Sequence, residues 1–75
     1  MEIKGYKEVV LAIKDRAKRV RKEKGISANE VRLTTGINVA RFESDKKGFS
    51  IETLLRLLDK YDVGLIEFLK PLFKE

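Results

Sequence analysis

Two polar side chains in the middle of the chain have the types and spacing needed to contact nucleic-acid bases. Asn38 and Arg41 are three residues apart, and Val39 and Phe42 repeat that spacing beside them. On a helix, this spacing places the polar pair on one edge and the apolar pair on another. Arginine pairs bidentately with guanine O6 and N7, and asparagine with adenine N6 and N7. Asn38 and Arg41 are therefore candidate base contacts, with ordinary solvent exposure as the alternative.

The composition argues against catalysis. The 75 residues include no histidine and no cysteine, so acid–base chemistry would fall to carboxylates, lysines or tyrosines. The carboxylates are scattered among basic residues, and the sequence shows neither a glycine-rich phosphate loop nor a metal-ligand spacing. We expect no enzyme activity, no catalytic or metal-binding residues, no cofactor and no small-molecule substrate. The lack of cysteine is typical of a cytoplasmic protein.

The basic charge is concentrated in the middle of the chain. The net charge is +5, and residues 14–47 hold eleven Lys/Arg against five Asp/Glu. Such a concentration is typical of a protein that binds a polyanion, although basic residues also simply make a helix soluble. The longest apolar run, Val9–Ile13, is far too short to cross a bilayer, so we expect no membrane partner.

Local signals predict an all-α chain with a single domain over residues 1–75. Residues 1–6 are predicted to be a loose lead-in before a helix from about Lys7 to Lys24, which Gly25 ends. One face of this helix is apolar, through Val10, Ile13, Ala17 and Val20. Basic residues surround this stripe, namely Lys14, Lys18, Arg21 and Lys22.

A pair of short helices is predicted at about residues 28–44. Ser27 and Glu30 form an S-x-x-E capping box that starts a helix at Ala28, and Gly36 interrupts that helix. The core of the pair is predicted to be Val31, Ile37, Val39 and Phe42.

Two further helices are predicted after a polar loop. Ser50 and Gly64 can cap them at their starts. Lys70 precedes Pro71, which disfavours helix at Lys70 and leaves residues 70–75 as a C-terminal tail.

The order of these features resembles the Xre family, the phage-repressor or Cro type of helix-turn-helix domain. The resemblance covers about Ile13 to Leu69 and lies in five segments, Arg21–Ser27, Thr35–Ile37, Arg41–Lys47, Ser50–Leu55 and Val63–Leu69. It implies a compact five-helix, lambda-repressor-like bundle that binds double-stranded DNA sequence-specifically and regulates transcription. It also implies a partly buried pair between Arg21 and Glu43, joining helix 1 to helix 3.

The chain departs from the family pattern near the turn. Gly36 and Glu43 are closer together than is usual in the family, so we expect the third helix to start near Thr34. Thr34, Asn38 and Arg41 would then line one outer edge, while Thr35, Val39 and Phe42 would face the core.

Two single residues also differ from the family pattern. Ala28 stands where the family favours a glutamine that contacts phosphate, so that contact should be lost or moved. Asp45 replaces the glycine that usually follows the third helix, and aspartate tolerates the left-handed region better than most residues.

The remaining candidate DNA contacts flank the base-reading pair. Thr34 and Thr35 could contact phosphate or a thymine methyl group, although N-capping of the third helix suits them equally well. Lys46 and Lys47 are candidate phosphate contacts, and Asn29 is a weaker one.

The expected assembly is a homodimer on a palindromic operator, because two-fold repetition is the usual route to specificity for one small module. The surplus leucines of the fourth helix and the Leu72-Phe73 tail are candidate dimer contacts. An alternative function is a protein-interaction module or an antitoxin-like partner of another protein.

Overall fold

Five α-helices and a terminal 3₁₀ turn make up most of the described chain. The computed structural model describes residues 5–73, and its helices are α1 (Tyr6–Glu23), α2 (Ala28–Thr35), α3 (Val39–Ser44), α4 (Ile51–Tyr61) and α5 (Leu65–Leu69), followed by a 3₁₀ turn at Lys70–Phe73. The prediction of an all-α chain with five helices is confirmed. The predicted lead-in differs, because α1 already begins at Tyr6, and residues 1–4 lie outside the described range. None of the helices within residues 5–73 has the length and apolar character needed to cross a membrane.

Local capping determines where most helices begin and end. The Ser27 hydroxyl accepts from the Glu30 amide at 3.0 Å, and the Ser50 hydroxyl accepts from the Thr53 amide at 3.1 Å. Gly36 ends α2 with φ 78°, a left-handed conformation that costs glycine little. Gly64 precedes α5, as predicted. The predicted starts of α2, α4 and α5 are therefore confirmed.

The core lies where α1 and α4 meet the shorter helices. Val31, Val39 and Phe42 bring α2 and α3 into it, and Ile37 packs against it half-buried, which confirms the predicted core of the pair. The other buried apolar residues come from α1, α4 and α5, namely Ile13, Ala17, Val20, Leu54, Leu57, Leu58, Tyr61 and Phe68.

This core accounts for much of the apolar surface that the sequence offered for dimerisation. Leu54, Leu57 and Leu58 are buried within α4, and Leu72 packs against the core. Leu55 is the leucine of α4 that remains exposed. The predicted homodimer stays a prediction, but fewer of its proposed contacts are available.

The third helix does not start near Thr34; that prediction is wrong. Thr34 and Thr35 are the last residues of α2, and their hydroxyls donate to the backbone oxygens of Glu30 and Val31 at 2.9 and 2.7 Å. A threonine can form this bond to the preceding turn and so remain helical. The alternative in which these threonines cap α3 is also wrong, because Asn38 is the N-cap.

Two predictions about single residues near helix ends are also corrected. Asp45 is extended, with φ −83° and ψ 168°, whereas the left-handed aspartate is Asp62, with φ 58°, at the end of α4. Lys70 is helical, with φ −50° and ψ −48°, and residues 70–73 of the predicted tail form a 3₁₀ turn, whereas residues 74–75 lie outside the described range. Pro71 fits there because the first residues of a helical turn need no N–H donor.

The core contains one buried hydroxyl group, that of Tyr61, without a hydrogen-bond partner among the described residues. Tyr61 is 1% exposed. Burial raises the pKa of Tyr61 to about 12, so the hydroxyl stays neutral at physiological pH.

We expect Tyr61→Phe to retain the ring packing and to raise the free energy of unfolding by roughly 1 kcal/mol, because it removes an unsatisfied buried polar group. Urea unfolding measures the change, and Tyr6→Phe, at an exposed tyrosine, is the control. A clear loss of stability in Tyr61→Phe would show that the hydroxyl has a partner, such as a bound water.

Candidate nucleic-acid interface

A shallow groove lies between α2 and α3. Its lining residues are Ala28, Asn29, Arg32, Asn38, Val39 and Ala40. We call it the α2–α3 groove. Its polar lining groups are one guanidinium and two amides, and none of the six residues is acidic. Such a groove is suited to an anionic or hydrogen-bond-accepting ligand.

Asn38 is brought into the α2–α3 groove, but one end of its amide is already used. Its Oδ1 atom accepts from the backbone N–H of Arg41 at 3.1 Å, which caps α3. Its Nδ2 group therefore remains as the available donor. Bidentate pairing with adenine needs the oxygen as well as the nitrogen, so the predicted pairing would compete with the cap.

Arg41 lies on the exposed side of α3. Its side chain is 70% exposed, and its Nε atom is 3.9 Å from an Asp45 carboxylate oxygen. At that distance and exposure the ion pair is weak, so the guanidinium can exchange it for an outside ligand. This placement is compatible with the predicted base contact.

A buried ion pair fixes α3 against α1. Arg21 Nε and Nη2 donate to the two carboxylate oxygens of Glu43 at 2.7 and 3.0 Å, and both side chains are at most 10% exposed. The hydrogen bond to Glu43 raises the pKa of Arg21 against the opposing effect of burial. The expected structural pair between helix 1 and helix 3 is confirmed.

A second internal pair anchors the segment after α3. Lys14 Nζ lies 2.5 Å from Asp45 Oδ1 and 5.3 Å from the centroid of the Phe42 ring. The Lys14 side chain is only 4% exposed, although the sequence places this lysine among the cations that surround the apolar stripe. The hydrogen bond from Lys14 holds the pKa of Asp45 below its ordinary value. The negative charge that Asp45 brings near the candidate surface is thus balanced from within.

Thr34 and Thr35 lie in a different groove. We call it the α2–α4 groove, and it is lined by these threonines and by the α4 residues Ile51, Glu52, Leu55, Arg56, Asp59 and Lys60. Arg56 Nη2 donates to the backbone oxygen of Thr35 at 2.5 Å. The two threonines therefore do not share an edge with Asn38, and carboxylates line their groove.

The two lysines after α3, Lys46 and Lys47, lie in different places on the surface. Lys46 lines a groove with Tyr6, Lys7, Val10, Leu11 and Gly48, which we call the α1 groove. The side chain of Lys47 is exposed, and its backbone N–H donates to Asp45 Oδ1 at 3.2 Å. Of the seven predicted contacts, Asn29 and Asn38 share one groove, whereas Thr34, Thr35 and Lys46 line two others.

Sequence reasoning missed Arg32. This residue is exposed on α2 and lies in the α2–α3 groove with Asn29. The signal was present, because residues 29 and 32 are three apart and share a face of the predicted second helix.

Comparisons of the chain with protein-family models, with curated proteins and with solved structures found no match. Within residues 5–73, no cluster of acidic side chains is placed to hold a metal ion. The side chains that line the grooves are therefore the observations that bear on function.

The Lys14–Asp45 pair predicts a specific dependence of stability on pH. A carboxyl whose pKa is lowered by folding stabilises the native state above its ordinary pKa of about 4, and this stabilisation is lost as the pH falls through the lowered value. We expect Asp45→Asn to be less stable than the parent at pH 7 and to differ less from it at pH 3.

Urea unfolding at both pH values tests this expectation. Asp15→Asn is the control, because Asp15 forms an exposed pair with Arg19 and should change stability little at either pH. An equal deficit of Asp45→Asn at pH 7 and pH 3 would show that the carboxylate is not the stabilising group.

Proposed function

We propose that this protein is a sequence-specific double-stranded DNA-binding regulator of transcription, of the Xre type, with α3 in the major groove. In this proposal α2 and α3 form the helix-turn-helix of a lambda-repressor-like bundle, and α1, α4 and α5 support it. The observation that carries the proposal is the α2–α3 groove, which combines Arg32 with two amides and contains no acidic residue.

The partners of the nearby carboxylates support this proposal. Glu43 is buried against Arg21, and Asp45 is bound by the buried Lys14. Each carboxylate therefore has a cation of the protein beside it. Repulsion between the surface and a DNA phosphate is thereby reduced, whereas the exposed Arg32 and Lys47 remain free to attract it.

A third carboxylate near α2 and α3, besides Glu43 and Asp45, is that of Glu30 on α2. Glu30 is paired with Lys60 of α4 at 3.4 Å, which draws it toward the α2–α4 groove. The α2–α3 groove is thus left with neutral and cationic side chains. This division of charge between the two sides of α2 supports a DNA contact on the α3 side.

We assign the DNA contacts by what each side chain can still donate. Arg41 is the candidate for bidentate contact with guanine, because its exposed guanidinium keeps most of its donors. Arg32, Asn29 and the Nδ2 group of Asn38 suit phosphate oxygens, and Lys47 suits a phosphate at the other end of α3. Thr34 and Thr35 are left out of this assignment, because carboxylates line their groove.

Selection of bound sequences from a random duplex pool, followed by measurement of Kd, tests the proposal. We expect a preferred sequence containing guanine, and we expect Arg41→Ala to lose about 1–3 kcal/mol on that sequence and to relax the preference at one base pair. Lys47→Ala should weaken all duplexes alike and reduce the salt dependence of log Kd by about one phosphate contact.

Lys70→Ala is the matched control, because Lys70 is an exposed lysine on the terminal 3₁₀ turn. It should leave sequence preference unchanged. Failure to enrich any sequence, together with binding that is insensitive to salt, would contradict the proposed function. Equal effects of Arg41→Ala on every sequence would contradict the assignment of Arg41 to a base.

A further inference from the structure

Two grooves that the proposed DNA contacts leave unused have complementary character. The α2–α4 groove presents Ile51, which is 60% exposed, and Leu55. The α1 groove presents Tyr6, which is 75% exposed, and Leu11. The two grooves share no residue, so one copy of the chain can offer both at once.

The α2–α4 groove has acidic groups available. Glu52 and Asp59 line it, and their carboxylates make no hydrogen bond or ion pair within residues 5–73. Of its two cations, Lys60 pairs with Glu30, whereas Arg56 donates to the neutral Thr35 oxygen and keeps its positive charge. An incoming surface would therefore meet apolar side chains beside unpaired carboxylates.

The α1 groove carries positive charge alone, in contrast to the mixed lining of the α2–α4 groove. Lys7 and Lys46 line it, no acidic residue does, and neither ammonium group is paired within the described part of the chain. Asp45, the acidic residue next to Lys46 along the chain, is bound by Lys14. An incoming surface here would meet apolar side chains beside unpaired lysines.

We propose that a second copy of this chain docks its α2–α4 groove onto the α1 groove of the first. In this contact Ile51 and Leu55 cover Tyr6 and Leu11, and Glu52 and Asp59 face Lys7 and Lys46. A two-fold contact of the α1 groove with itself would instead bring the unpaired Lys7 and Lys46 of both copies together, which is unfavourable. The contact is therefore head-to-tail, and each copy of the pair keeps one free groove, the α2–α4 groove on the first and the α1 groove on the second.

The expected association is weak and sensitive to salt. Both grooves are small, and small interfaces with exposed charges belong to the weak class. Because a head-to-tail contact does not close on itself after two copies, species larger than dimers form as concentration rises. On DNA the contact would favour direct repeats over palindromes, a consequence that rests on the proposed function.

Sedimentation equilibrium of the full chain at low salt and without DNA tests this contact, so its outcome is independent of the proposed function. We expect concentration-dependent association in the wild type. Glu52→Lys/Asp59→Lys and Lys7→Glu/Lys46→Glu should each weaken it by about tenfold or more, because like charges then face each other. An equimolar mixture of the two variants should associate as the wild type does, since opposite charges meet again.

Matched controls carry the same change of net charge at exposed positions outside both grooves. These are Glu23→Lys/Glu67→Lys and Lys18→Glu/Lys24→Glu, and both should associate as the wild type does. Circular dichroism verifies that every variant keeps its helices.

Three outcomes would overturn the head-to-tail contact. The first is a wild type that stays monomeric at millimolar concentration. The second is a loss of association in Glu52→Lys/Asp59→Lys alone. This result would show that the α2–α4 groove pairs with itself. The third is association that neither variant changes, which would place the contact elsewhere, for example at Phe73.

Discussion

The arginine at the end of α1 is the group on which the arrangement of the short helices depends. Arg21 donates to both carboxylate oxygens of Glu43 on α3 and, through Nη1, to the backbone oxygen of Ile26 at 2.8 Å. One planar guanidinium thus joins α1, the turn before α2, and α3. Helices of eight and six residues are too short to be stable alone, so their orientation depends on such tertiary contacts. Removal of one partner would leave a buried charge, which is more costly than the pair is stabilising.

Ion pairs within the protein also determine which charged side chains are left unpaired on its surface. The two carboxylates of Glu43 and Asp45 face the buried cations Arg21 and Lys14, which leaves Arg32 and Lys47 exposed near α3 without a counterion. The α4 helix contributes from the opposite side of α2, where Arg56 binds the last turn through the Thr35 oxygen. This helix therefore holds α2 in place at its end, while its own outer face keeps the unpaired Glu52 and Asp59.

Most features that depend on neighbouring residues were predictable from the sequence, whereas contacts between distant residues were not, apart from the Arg21–Glu43 pair that the family resemblance implied. Ser27, Ser50 and Gly36 act through hydrogen bonds and backbone conformations within a single turn, and each was identified correctly. Lys14 was not, because its counterion Asp45 is 31 residues away and a lysine within a basic helix gives no signal of burial. The start of α3 was misplaced because threonine suits a helix end as well as a helix start. For the candidate site, the polar groups near Asn38 were found, whereas the grouping of Thr34 with them failed once α2 extended to Thr35.

Amide chemical-shift mapping during titration with the selected duplex tests the central claim most directly, because it reports which helices meet DNA without any substitution. The account predicts that the largest shifts fall on Asn29, Arg32 and the α3 residues Val39–Ser44, with smaller changes at Lys47. Shifts confined to α4 and α5, with α2 and α3 unchanged, would contradict it.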